Sequence, residues 1–115
     1  MANTFKVITK AGVTSADVIY TVAGSTTTIV LGLMVGNTTA GAITSSVTLG
    51  TDTAGRAGNN DEANQAVELI TSAAIPANSS LELMAGNKIV METTDTLSVA
   101  GSGAVDVALS IMEMT

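Results

Sequence analysis

A period-two alternation of apolar and other residues, broken every ten residues or so by turn-forming sequence, constrains this chain more than any other feature. It is clearest at the C-terminus, AVDVALSIMEM, where Val105, Val107, Leu109 and Ile111 alternate with Asp106, Ala108, Ser110 and Met112. Successive side chains of an extended strand point to opposite faces, so this segment reads as a half-buried strand. The same reading applies to Thr4–Thr9, where Phe5, Val7 and Thr9 oppose Lys6 and Ile8, and to Val18–Val22, Ile43–Leu49 and Val67–Ile75. Each is rich in β-branched residues and bounded by Gly, Asn, Ser or Pro. Two short strands, Leu81–Met84 and Lys88–Glu92, flank Ala85-Gly86-Asn87, a tight-turn sequence because Gly and Asn tolerate positive φ. Thr96–Ala100 follows, and Gly101-Ser102-Gly103 turns the chain into its last strand.

Eight or nine short strands at this spacing predict an all-β fold, an antiparallel β-sandwich of jelly-roll-like type or a barrel. The length of 115 residues fits a single domain over 1–115, since domains commonly run to roughly 100–150 residues. The best helical candidate, Asp61–Ala66, spans about one and a half turns and is marginal alone, so at most one short helical turn is expected. The polar segment TDTAGRAGNN opens the longest predicted loop, about residues 51–66.

Thr26–Val35 departs from simple alternation. Ile29, Leu31, Leu33 and Val35 take one face by parity, while Val30 and Met34 put apolar groups on the other, with Gly32 between them. Two-sided apolarity marks either a central strand covered on both faces or a strand that meets a neighbouring subunit. Met112 and Met114 lie opposite the Val105–Ile111 face, and Met84 and Met91 sit near strand ends. Methionine serves both as core filler and as an interface residue. Val30, Met34, Met84, Met112 and Met114 are therefore the candidate subunit-contact residues. The abundant Thr, Ser and Ala make a weakly hydrated sheet surface that suits a subunit contact or simply a soluble face.

Composition sharpens this. Apolar types make up 46%, charged types 12% and aromatics 2% of the chain, against about 25% charged in an ordinary domain. Some surface is therefore expected to be covered by another protein. With no His and no Cys, imidazole bases, thiol nucleophiles, disulfides and thiolate metal sites are excluded. Four bases against ten acids, a net charge of −6, and two aromatic rings argue against nucleic-acid binding. The longest apolar run, Ile29 to Val35, is far short of the roughly 18–20 residues of a spanning helix. Lys6 and Lys10 interrupt the N-terminus where a signal peptide needs its apolar stretch, so an intact N-terminus and no membrane contact are expected.

Little chemistry is on offer. Glu92 with Asp95, and Asp61 with Glu62, fall at predicted turns where carboxylates are ordinarily solvated. Ser and Thr nucleophiles lack a base. Asp52, Asp61 and Glu62, with Asn59 and Asn60, gather oxygen ligands of the kind Ca²⁺ takes, but without EF-hand spacing and with Arg56 among them. No cofactor and no enzymatic activity are expected. The glycosylation sequons at Asn37 and Asn78 are what a Thr/Ser-rich chain yields by chance. Glycan binding normally uses aromatic platforms, for which Phe5 and Tyr20 are the two rings present.

Gly36-Asn37-Thr38, Ile75-Pro76 with Ser80-Leu81-Glu82, Gly86-Asn87-Lys88, Asp95-Thr96-Leu97 and Ser110-Ile111 fall in one order along nearly the whole chain. In this it resembles the small single-domain β-sandwich virion structural proteins of tailed, marine-type bacteriophages. These are turn and strand-start residues, so the resemblance implies no site. It implies a non-enzymatic, multi-copy particle component, assembled in the host cytoplasm. The leading expectation is a capsid decoration or cement protein on the particle exterior. It would self-associate as a trimer or ring and dock on the major capsid protein or other virion proteins. A neck, tail or fibre-adaptor subunit is the alternative within that class, and a glycan- or Ca²⁺-binding module for host attachment the alternative outside it.

Overall fold

The computed structural model describes residues 2–51, 64–83 and 88–115. The described residues form nine strands and no helix: β1 (Asn3–Val13), β2 (Asp17–Thr21), β3 (Thr27–Asn37), β4 (Ile43–Thr51), β5 (Gln65–Ile75), β6 (Ser80–Leu83), β7 (Ile89–Met91), β8 (Thr96–Gly101) and β9 (Val105–Met114). The first sheet runs β1-β9-β3-β6 with β7 also on β3, and the second runs β2-β8-β4-β5. Every pairing is antiparallel.

The partners nest: β4 with β5, β3 with β6 and β7, β2 with β8, β1 with β9. This is one long antiparallel ribbon, bent at the β4–β5 end and rolled so that successive pairs alternate between two sheets, the winding of a jelly roll. The roll is held by the alternation read from the sequence. Val105, Val107, Leu109 and Ile111 of β9 face inward at 0–3% exposure. Opposite them lie Val47 of β4 and Leu97 and Val99 of β8. Each such side chain contributes roughly 1.5–3 kcal/mol when fully buried.

The phase of β3 differs from simple parity. Val30 pairs with Ile111 and Gly32 with Ser110, so Leu31 is an extra residue with no partner in β9. Such a bulge shifts every later residue to the other face. Val30, Leu33 and Val35 are therefore all inward at 0% exposure, while Ile29, Gly32 and Met34 face out. Val30 is a core residue, not a contact candidate.

The strands flanking Ala85-Gly86-Asn87 also correct the expected tight turn. That tripeptide lies outside the described residues, but β6 runs antiparallel to Leu33–Gly36 and β7 antiparallel to Thr28–Val30. Both travel in one direction along the same strand, so β6 and β7 do not pair with each other as a hairpin. Of the proposed helical turn, Gln65 and Ala66 belong to β5, paired with Thr51 and Gly50. Residues 61–63, and most of the predicted 51–66 loop, lie outside the described residues.

Two polar side chains close the ends of the roll. Asn37, 4% exposed, shares its two Nδ2 hydrogens among the carbonyls of Gly41 (2.9 Å), Ile75 (3.0 Å) and Pro76 (3.1 Å), and Oδ1 accepts from Thr39 N (2.8 Å) and Oγ1 (2.7 Å). It ties the β3–β4 connection to the β5–β6 connection, and its burial closes that sequon to a glycan. Asp95, expected to be solvated, is fully buried, and Oδ2 accepts from Glu92 N at 3.0 Å within its own turn.

Candidate functional site

The outward residues of the first sheet follow from its register. Counting from the Asn3–Met114–Thr27 end, the next row is Phe5–Met112–Ile29–Val90, then Val7–Ser110–Gly32, then Thr9–Ala108–Met34–Glu82, and finally Asp106–Gly36–Ser80. Phe5 is 70% exposed, Val7 63%, Val90 56% and Met34 46%. Met112 and Met114 are half-buried by their neighbours. The face thus has a ridge of large apolar side chains at one end. At the other lies a groove of about 410 Å³ lined by Thr9, Ala11, Met34, Gly36 and Ala108, with the charged Lys10 and Asp106 also on its wall. Among the strand residues of these rows, the charges are Asp106 and Glu82, both at the groove end. A contiguous apolar face of this kind on an isolated subunit marks an interaction surface.

Edge strand β1 supports the same reading. Its residues from Asn3 to Gly12 are exposed apart from the half-buried Ile8. Lysines on an edge ordinarily discourage pairing, but both lysines of β1 are turned to partners of this chain: Lys6 Nζ to Glu113 Oε1 at 2.6 Å and Lys10 Nζ to Asp17 Oδ2 at 2.8 Å.

The Lys6 pair belongs to a polar cluster between the sheets. Tyr20 of β2 donates its hydroxyl proton to Glu113 Oε2 at 2.5 Å, and with that proton committed it accepts from Thr28 Oγ1 at 2.7 Å. Partial burial, then the Glu113 carboxylate, push the Tyr20 phenol up to about 12. Lys6, then the Tyr20 hydroxyl, hold the Glu113 carboxyl below its ordinary value. This cluster is a fastening: it joins β1, β2, β3 and β9, and it removes Tyr20 from the surface as a stacking platform.

Of the residues singled out from sequence, Met34, Met112 and Met114 come together on this face, Val30 lies beneath it, and Met84 lies outside the described residues. The cation candidates Asp52, Asp61 and Glu62 are likewise outside the described residues. Among the described residues, no group of three or more Asp and Glu is placed to hold a metal. Met91, by contrast, is fully buried core. Phe5, Val7, Ile29 and Val90 are the face residues that sequence reading did not select. Their signal was alternation with the polarity inverted, apolar side chains on the face that turns out to be outer.

No family model matches the sequence, and no curated protein is similar to it. Among solved structures, the chain is similar to one from work described as "Bacillus endospore appendages form a novel family of disulfide-linked pili". The TM-score is 0.51 and the identity 14%, over 97% of this chain and 84% of that chain. At that identity the likeness is one of fold: two antiparallel sheets packed as a sandwich.

Proposed function

We propose that this chain is a non-enzymatic structural subunit that works in many copies and contacts its neighbours through the outer face of the first sheet. The observation that carries the reading is the Phe5, Val7, Met34 and Val90 surface, left open to water in a chain with little charge to spare. The pilus protein with the same sandwich is a precedent for such a domain as a building block. Its disulfide linkage has no counterpart here, because this sequence has no cysteine. The particle, on the resemblance described above, is the virion of a tailed bacteriophage, with the subunit on the capsid exterior as a decoration protein. The acidic balance fits an outer position, since a net charge of −6 repels packaged nucleic acid.

Sedimentation analysis of the purified protein across a wide concentration range tests the reading. An oligomer that dissociates in the double variant Phe5→Asp/Met34→Asp is the expected result. A monomer at every concentration would remove self-association from the proposal. Immunogold labelling of virions assigns the position: label over heads is expected, and label confined to necks or tails moves the subunit there.

A further inference from the structure

The geometry points to a two-fold dimer of this chain, packed face to face across the outer surface of the first sheet, with the ridge of each copy seated in the groove of the other. The inference rests on the proposed contact face and adds the partner and the register.

Ridge and groove lie on one face, and the Phe5–Met112–Ile29 row is separated from the Thr9–Ala108–Met34 row by the Val7–Ser110–Gly32 row. At a rise of about 3.3 Å per residue that separation is about 13 Å. A two-fold axis lying in the interface, perpendicular to the strands and through the middle row, exchanges the two outer rows. Phe5 then covers Thr9 of the second copy, Met112 covers Ala108, and the middle row meets itself. On the β1 and β9 side large side chains meet small ones, while on the β3 side Ile29 meets Met34 and Val90 meets Glu82, the patch pairing with itself as an isologous contact requires.

The other symmetric arrangement has its axis parallel to the strands. It sets ridge on ridge, leaves two grooves of about 410 Å³ facing each other unfilled, and gathers Asp106 and Glu82 of both copies at one end. In a chain of net charge −6 that end is repulsive. The perpendicular axis instead sends the two acidic ends apart, each against the uncharged ridge of its partner.

Size agrees as well. Four strands about 4.8 Å apart and nine residues long make a face of about 570 Å², so two copies cover about 1,140 Å², just below the standard size and above the roughly 1,000 Å² that a specific interface needs.

Absence of cysteine makes thiol crosslinking unambiguous. With a short thiol-to-thiol crosslinker, an equimolar mixture of Met112→Cys and Ala108→Cys chains should give crosslinked dimer, and Met112→Cys alone should not. Crosslinking of Met112→Cys to itself, without the mixed product, identifies ridge-on-ridge packing and overturns the register while the contact face stands. A second variant fills the groove. A Cβ at Gly36 meets only the Asp106 carbonyl, at an ordinary 3.8 Å, so the backbone there has room for the first side-chain atom of Gly36→Leu. That substitution should weaken the dimer by about tenfold or more with unchanged melting of dilute protein. An unchanged dimer affinity refutes the seated ridge. If Phe5→Asp/Met34→Asp also leaves the oligomer intact, the contact face itself is refuted.

Discussion

Replacing Asn37 by Ala tests whether one buried amide fastens the end of the roll. The side chain shares two amide hydrogens among three carbonyls and accepts two hydrogen bonds from Thr39. The Ile75 carbonyl is the most enclosed of the three, its bond being fully buried. An unpaired buried acceptor costs about 1–3 kcal/mol, and groups that water reaches cost less. Taking about 2 kcal/mol for Ile75 and about 1 kcal/mol for the remainder gives about 3 kcal/mol. An unfolding entropy of about 2.1 cal/mol/K per residue, over 115 residues, converts this to a fall in melting temperature of about 12 °C. Calorimetry and urea titration at one fixed protein concentration measure it, because self-association itself stabilises by mass action.

Asn37→Asp is the sharper variant. It keeps an acceptor for Thr39 but places a carboxyl against three carbonyl oxygens, where only the protonated form donates. Its folded-state pKa is then raised above the ordinary value of about 3.9. Stability relative to the parent is greatest below about pH 4 and falls as pH rises through the folded pKa. A loss below about 1 kcal/mol for Asn37→Ala, or a pH-independent loss for Asn37→Asp, refutes the account.

The Leu31 bulge makes a paired prediction by circular dichroism and sedimentation. Val30→Asp buries an unpaired carboxylate and unfolds the domain, whereas Met34→Asp keeps its melting temperature when dilute and loses the oligomer. Gly101→Ala should cost about 1–3 kcal/mol in urea titration, because its Cβ would stand 2.5 Å from the Gly103 carbonyl and 3.2 Å from Val105. Tyr20 and Glu113 set opposite pH limits, read from melting temperature against pH. The raised phenol contributes stability that is complete below its ordinary value of about 10 and is lost as pH climbs towards about 12. Tyr20→Phe removes that alkaline limb. The lowered Glu113 contributes stability present above the ordinary carboxyl range and lost as pH falls through its folded-state value, and Glu113→Gln flattens that acid limb.

Strand β9 was fully legible because its alternation is unbroken and its inner partners are all aliphatic. Strand β3 was legible as a strand but not in phase, since one extra residue, Leu31, inverts parity and no local signal distinguishes a bulge from a regular pair. Asn37 and Asp95 announced turns, which is a local property of their side chains. Their burial depends on chain segments dozens of residues away and has no local signature. The Tyr20–Glu113 bond spans 93 residues and was invisible for the same reason. On β1 the alternation was read correctly, but an edge strand buries little of either face. Its register on β9 turns Lys6 and Ile8 inward, Lys6 to Glu113, and leaves Phe5 and Val7 outside.

The two outer faces of the sandwich are chemically unlike, and that asymmetry gives the shortage of charge a location. On the second sheet, buried Ser45, Val47, Leu97 and Val99 put Thr44, Ser46, Thr48, Thr96 and Ser98 on the outside. The threonines suit a strand while offering hydroxyls, and Ser46 Oγ accepts from Ser72 N at 2.8 Å, so that face is polar without charge. The first sheet spends its outward positions on Phe, Val, Ile and Met, which water does not reward. The largest exposed apolar side chains, Phe5, Val7, Met34 and Val90, therefore gather on the first sheet, while the second exposes Val18 and Val67 among its hydroxyls. The contact surface is therefore strongest on the first sheet, with the exposed β1 edge beside it, and that is where the missing charge is missing from.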